Sequence, residues 1–379
     1  VAYGRSAIGR AIKGSLRNTH PVDYAGQVLK KVVNKVPELD LKDIGDIIIG
    51  CSKSEEVQGY NIANLMKFRA ELPDSIPAQT VNRFCSSGLQ AIHTAANLIR
   101  TGDMEVVIAG GVESMSMLPM GTKESVRNKW LMENKKEAYM SMGLTAENVA
   151  EKYNITRKEM DELAIVSHKK ASYAIKEGRF KDQIVPIKAL DDNGEWFDFY
   201  KDEGVREGNT LEKLSKLKTV FKEDGKVTAA TSSQMSDGAS IMILMSRKKS
   251  EKLGLKPLAR FLGGRVAALD PAYMGLGPIK AVPKLLNSVG LKIEDMDVIE
   301  LNEAFASQAI PCMDVLNMDR NKVNINGGAM ALGHPLGATG AVLTCKALAE
   351  LERTSKRYAL ITMCVGGGMG YAAIFERLE

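Results

Sequence analysis

One pattern occurs twice in this chain, in the same order, and that repetition limits what the chain can fold into. Residues 41–50, a helix end running into Ile47-Ile48-Ile49, have a counterpart in residues 293–301, which end in Val298-Ile299-Glu300-Leu301. Val81-Asn82 opens one glycine-containing segment and Val323-Asn324 opens another. Each leads into a helical pattern and then a further apolar strand, residues 106–111 in the first case and 358–364 in the second. Strand, helix and strand repeated in order predict two α/β halves related by duplication. The 379 residues also exceed one ordinary core, as two or three domains or subdomains require. Residues 113–227 have another texture, rich in methionine and lysine, and read as an insertion packed over the core. This divides the chain into a first half of residues 1–112 and 228–255, an insertion of 113–227, and a second half of 256–379. Within the insertion the pattern predicts helices over 145–153 and 157–177, with turns at Asp192-Asn193-Gly194 and Asp224-Gly225. Met115, Met117, Met120, Met140 and Met142 read mainly as scattered core filler, although an adaptable apolar site would use the same residue type.

The candidates for chemistry lie at the junctions of the repeat. Cys85 follows a β-branched and aromatic approach (Val81, Phe84) and precedes Ser86-Ser87-Gly88, after which Leu89, Ile92, Ala96 and Ile99 form one helical stripe. A sulfur at a strand-to-helix junction lies beside unpaired N–H groups at the positive end of the helix dipole. That setting is expected to lower the thiol pKa and favour a thiolate nucleophile. A cysteine packed as a small hydrophobe fits the same local pattern.

The chain has four histidines. His20 precedes Pro21 in a turn, and His168 reads as the wet face of a helix. His93 shares a helix with Cys85, but eight residues place it about 12 Å along the axis, too far to act as its base. His334 lies in the glycine-crowded residues 327–340 and precedes Pro335, which favours a helix start. By the repeat it occupies the counterpart of the Cys85 junction, so two helix N-termini would face each other and bring thiol and imidazole together. Cys364 ends a strand shortly before Gly366-Gly367-Gly368. These glycines match neither the dinucleotide fingerprint nor a P-loop. They suit a close approach of backbone N–H groups to a substrate, as an oxyanion hole requires, or simply a tight turn. Asn302 follows a strand of the second half, where it could hold a water or donate to a developing oxyanion. Glu303 beside it reads as a structural carboxylate.

Basic and acidic residues are interspersed and the net charge is +5, so nucleic acid is not an indicated partner. Five cysteines without C-x-x-C spacing support neither a disulfide framework nor a zinc site, and no metal is expected. They point to a reducing compartment, taken as the cytoplasm. No apolar run approaches the length of a membrane span. The Arg- and Ser-containing segment before Asp23 could mimic a transit peptide, but the chain begins at Val1 without methionine and the segment reads as a clipped first strand and loop.

With Cys85, Asn302, His334 and Cys364 in these contexts, the chain closely resembles the thiolase family over essentially its whole length. The resemblance is carried by residues 82–91, by Gly110-Gly111-Val112-Glu113-Ser114-Met115-Ser116, by Asn302-Glu303-Ala304-Phe305, by residues 327–340, and by Cys364-Val365-Gly366-Gly367-Gly368-Met369-Gly370. It implies an α/β fold, a five-layered αβαβα sandwich of two duplicated halves with an inserted loop domain that binds coenzyme A. It also implies a homodimer or homotetramer, with coenzyme A as co-substrate and no permanently bound cofactor. A β-oxidation hydratase–dehydrogenase partner is compatible with it. In this family's chemistry His334 would help generate the Cys85 thiolate, and Asn302 would hold a water that stabilises an enolate together with His334. Cys364 would move the proton, and the backbone N–H groups of Cys85 and Gly366 would form a second oxyanion hole. The resemblance places Arg206, Phe221, Ala229, Ser233, Met142, Ala304 and Phe305 near coenzyme A. Ser141-Met142-Gly143 stands where acetoacetyl-CoA-specific members usually read His-Met-Gly, and it resembles the degradative members that accept longer 3-ketoacyl chains. The implied function is thiolytic cleavage of 3-ketoacyl-CoA in fatty-acid β-oxidation. A biosynthetic acetoacetyl-CoA thiolase comes next, and a non-catalytic acyl-CoA- or lipid-binding module after it. A decarboxylating ketoacyl synthase, built around Cys-His-His, fits less well because Asn302 stands in place of the second histidine.

Overall fold

The computed structural model describes residues 1–121 and 124–378, and the two predicted halves form two sheets with matching strand order. The first sheet uses β1 (Ala2–Arg5), β2 (Gly9–Arg10), β3 (Ile44–Gly50), β4 (Ala78–Val81), β5 (Val106–Ser114) and β8 (Ser236–Met245), in the order β1-β8-β5-β3-β4, with β2 also pairing β8. The second uses β9 (Ala259–Ala268), β10 (Val298–Leu301), β11 (Tyr358–Val365) and β12 (Met369–Arg377), in the order β10-β11-β12-β9. Parallel β3/β5 matches parallel β10/β11, and antiparallel β5/β8 matches antiparallel β11/β12. The parallel bridge of Ile299 to Val323 takes the place of the β3/β4 pair. The duplication read from the sequence is therefore present in the central strands of the two sheets.

The layers follow from which faces are apolar. Helices α1 (Pro21–Val33) and α2 (Ile62–Arg69) cover the outer face of the first sheet, where Tyr24, Val28, Leu29, Val32 and Met66 pack against Ile47, Ile49 and Ile108. Helix α3 (Ser87–Thr101) lies between the sheets, its Leu89, Ile92 and Ala95 joined to Ile48 and Val107 on one side and to Ile361, Met363 and Ala373 on the other. A long helix in the second half, residues 336–354, shares that middle layer. Helices over 277–289 and 306–315 cover the outer face of the second sheet. The result is the five-layered αβαβα sandwich. Strand β5 is buried along its whole length, which is why Val106-Val107-Ile108-Ala109 reads as a continuous apolar run rather than an alternating one.

Residues between β5 and β8 supply α4 (Met142–Lys152), α5 (Arg157–Lys176) and a separate hairpin of β6 (Ile187–Leu190) with β7 (Trp196–Phe199). The first of the two expected helices begins three residues early because the Ser141 hydroxyl caps it, accepting from Leu144 N. The second begins with a capping box of Thr156 and Glu159, as its sequence pattern requires. The named methionines do not gather: Met115 is buried and Met120 exposed, and among them Met142 packs with the cluster containing Cys364. The second-half helices named above are, in chain order, α6 (Gly277–Val289), α7 (Ala306–Val315) and α8 (Leu336–Thr354). Almost every residue of α8 is buried, as a helix in a middle layer must be. Among the described residues no helix is long and apolar enough to cross a membrane.

Candidate active site

The Cys85 turn is built by local side-chain bonds. Asn82 Oδ1 accepts from Phe84 N at 2.8 Å, while its Nδ2 donates to Ser52 O at 2.9 Å. Ser87 Oγ accepts from Arg83 N and donates to Phe84 O. These bonds hold Phe84 at φ +45°, a conformation unusual for an aromatic residue, and Cys85 follows it in a short 3-10 turn. Backbone N–H groups of Gly366 and of Cys85 itself lie near enough to the sulfur to favour its thiolate form.

The expectation that this junction lowers the Cys85 thiol pKa is not met. Part of the residue reaches solvent, but the sulfur is enclosed, and desolvation pushes the thiol up to about 11 against the opposing effect of those two N–H groups. A helix end favours a thiolate, but burial of the sulfur between the two halves acts more strongly in the opposite direction. His334, buried on all sides, is pushed the other way by the same desolvation, to about 4. Desolvation thus favours the neutral form of each group.

His334 sits where α8 begins. Its Nδ1 lies 2.6 Å from Thr339 Oγ1 and its Nε2 lies 3.3 Å from Asn302 Nδ2. Asn302 is positioned at the end of β10 by its N–H bond to Thr362 O, two residues before Cys364 on β11. Its Oδ1 is buried with no protein donor. Cys364 is itself buried, and burial, with Cys85 and Cys312 nearby, holds its thiol well above the ordinary value. The three glycines after Val365 form the β11–β12 turn, with Gly367 and Gly368 at positive φ, so the turn and the N–H donor role coexist there.

The two helix N-termini do meet. A side chain at Gly88 would reach within 2.9 Å of Gly337 O, and one at Gly340 within 2.5 Å of Leu89 N, so α3 and α8 cross at backbone distance. The first turn of α8 is further anchored by Glu113 at the end of β5. That buried carboxylate accepts from Gly337 N at 2.7 Å, Ser52 N at 2.8 Å and Gln58 Nε2 at 2.9 Å. Glu113 belongs to the glycine-led block of residues 110–116, and nothing local in the sequence marks its partner 224 residues away. Glu303 takes the structural role expected of it, accepting from Ser167 Oγ at 2.6 Å and Asn324 Nδ2 at 2.9 Å beneath Gly328.

Of the residues expected near coenzyme A, Met142, Phe221, Ala304 and Phe305 share one apolar cluster with Cys364. Phe221 lies flat on Gly143, where any side chain would collide with the ring, and meets Phe305 edge to face at 6.0 Å. Glu147 pins the following turn through Lys226 N and Val227 N. Ser233 joins this group through its N–H bond to Ala304 O, and Ala229 is exposed at its edge. Arg206 is exposed on a separate loop, fixed by its backbone N–H donating to His168 Nδ1 at 3.0 Å. This corrects the reading of His168 as a wet-face residue: it is buried against that loop, and desolvation lowers its pKa to about 4. Helical spacing shows which face a residue occupies, but not that a distant loop will cover it.

The family model described as "Thiolase, N-terminal domain" matches residues 1–248, and "Thiolase, C-terminal domain" matches residues 255–377. A "3-ketoacyl-CoA thiolase" of Bacillus subtilis (strain 168) is 46% identical, covering 99% of this chain and 98% of the relative. The "3-ketoacyl-CoA thiolase A, peroxisomal" of Mus musculus is 43% identical, covering 99% and 90%. A solved structure, "Crystal structure of the Bacillus anthracis acetyl-CoA acetyltransferase", superposes with a TM-score of 0.92 at 40% identity, covering 100% of this chain and 98% of that one.

Proposed function

The chain belongs to the thiolase family and is an acyltransferase, and we propose that it cleaves 3-ketoacyl-CoA with coenzyme A in fatty-acid β-oxidation. What supports this reading is the proximity of the Cys85 sulfur to Gly366 N–H and the Cys364 thiol, together with the contact between the starts of α3 and α8, where the His334–Asn302 pair lies. A 3-ketoacyl-CoA presents a ketone carbon to the Cys85 sulfur as its proton passes to His334 Nε2. Because burial disfavours the charged form of each group alone, proton transfer and attack are coupled. The bond between C2 and C3 breaks, leaving a thioester on Cys85 and the enolate of acetyl-CoA. The enolate oxygen is stabilised by protonated His334 and a water held at Asn302 Oδ1, and the Cys364 thiol protonates the carbon. Coenzyme A then gives its thiol proton to the Cys364 thiolate and attacks the Cys85 thioester, whose oxyanion is met by the N–H groups of Cys85 and Gly366. Cys85 leaves as thiolate and regains its proton from His334, which closes a ping-pong cycle. Coenzyme A serves as co-substrate, its chain lying along Met142, Phe221, Ala304 and Phe305, with Ala229, Ser233 and Arg206 toward the outside.

A second reading, a biosynthetic acetoacetyl-CoA thiolase, is favoured by the likeness to the Bacillus anthracis structure, which is named as an acetyl-CoA acetyltransferase. Ser141 bears on the choice: it caps α4 immediately before Met142, so the residue that resembles the degradative members is also a helix cap. Thiolysis rates across 3-ketoacyl-CoA chain lengths separate the two. We expect kcat/KM for medium-chain substrates to equal or exceed that for acetoacetyl-CoA, and cleavage of acetoacetyl-CoA alone would favour the second reading.

We also expect a homodimer or homotetramer. Strand β4 is an edge of the first sheet, and Tyr60, Phe68 and Phe84 are exposed. Light scattering should give two or four times the 41.2 kDa chain mass; a monomer at micromolar concentration contradicts this. Five free cysteines suit a reducing compartment such as the cytoplasm.

A further inference from the structure

We infer that Thr339 is a positioning residue that holds the His334 imidazole as the tautomer protonated at Nδ1, leaving Nε2 as the proton acceptor. The inference rests on the reading of His334 as the base for Cys85. Thr339 lies in the first turn of α8 and is buried. Its Oγ1 is 2.6 Å from His334 Nδ1 and 3.0 Å from Pro335 O, the carbonyl four residues back along the chain. A hydroxyl has one proton to give. When that proton goes to the carbonyl, which can only accept, the hydroxyl oxygen accepts from Nδ1–H. The other side of the ring agrees: Asn302 Nδ2, which can only donate, faces Nε2 at 3.3 Å. The opposite tautomer requires two changes together, the Thr339 hydroxyl leaving Pro335 O and the Asn302 amide turning over. In the imidazolium both ring nitrogens carry protons, and Thr339 still accepts from Nδ1, so the same contact serves His334 before and after it takes the Cys85 proton.

The test is nitrogen NMR of the whole protein labelled in its four histidines. Wild type should show His334 protonated at Nδ1 with a bare Nε2. Thr339→Val keeps the branched shape and removes the hydroxyl. It should move the signal toward the other tautomer and lower kcat roughly tenfold to a hundredfold, with KM little changed, as the loss of one partner to a buried polar group implies. Thr339→Ser should restore both readouts. The inference fails if wild-type His334 carries its proton at Nε2, or if Thr339→Val leaves tautomer and kcat unchanged. If the valine variant does not fold, the wild-type and serine spectra still decide. Cys85→Ala run in parallel separates the two levels. Continued turnover there would overturn the proposed function itself, whereas an inactive Cys85→Ala beside an unaffected Thr339→Val would overturn only the role of Thr339.

Discussion

Cys85→Ala should lower thiolysis by about four orders of magnitude or more, because removing the nucleophile removes the covalent route that the other groups serve. The Gly366 N–H and the Cys364 thiol lie close to this sulfur, and neither replaces it as the acyl carrier in the proposed cycle. The matching chemical readout is the acyl-enzyme. Wild-type protein mixed with a 3-ketoacyl-CoA should gain the mass of the shortened acyl group on the peptide containing Cys85, and the alanine variant should gain none. Cys51→Ala is the control. That cysteine is fully buried, with its thiol held well above the ordinary range by burial and by Glu113, so its truncation bears on packing rather than chemistry. A Cys85→Ala enzyme retaining even a tenth of wild-type turnover would remove the basis of the mechanism.

A large expected effect on stability comes from breaking the pair beneath the site. Lys346 Nζ lies 2.7 Å from Glu300 Oε2 and 2.7 Å from Gly327 O, and both side chains are almost wholly buried. Lys346→Met leaves the Glu300 carboxylate buried without its cation and Gly327 O without that donor. It should cost about 3–5 kcal/mol, a large share of the stability of an ordinary domain. Glu300 is on β10 two residues before Asn302, and Gly327 opens the run that leads to His334, so the damage should reach the site. The double variant Lys346→Met with Glu300→Leu removes both charges and should recover most of the loss, because a buried pair replaced by apolar groups is often close to neutral. Denaturant unfolding of the three proteins measures this. A single variant costing under about 1 kcal/mol, or a double variant no better than the single, would show that the pair is not isolated from water as its burial implies.

The two halves were legible because a duplicated fold repeats its apolar pattern, and pattern is local. Residues 41–50 and 293–301 both read as strand entries, and they became β3 and β10 in matching positions. The segments containing Cys85, His334 and Cys364 stood out because cysteine, histidine and glycine at strand–helix junctions are chemically unusual there. Thr339 and Glu113 escaped, the first because a threonine in a helix looks ordinary and the second because its partner lies in the other half of the chain.

By itself the sequence determined the duplicated α/β architecture and which residue types stand at its junctions, since hydrophobic period and turn chemistry act over a few residues. Only the tertiary structure decided how those residues behave. Whether Cys85 rests as thiol or thiolate depends on how much water the second half excludes, and burial there outweighs the two N–H donors. Whether His168 is wet depends on the Arg206 loop, and how His334 is held depends on Thr339 and Asn302. Desolvation and hydrogen bonding between distant segments are properties of the folded surroundings, and no local stretch of the chain carries them.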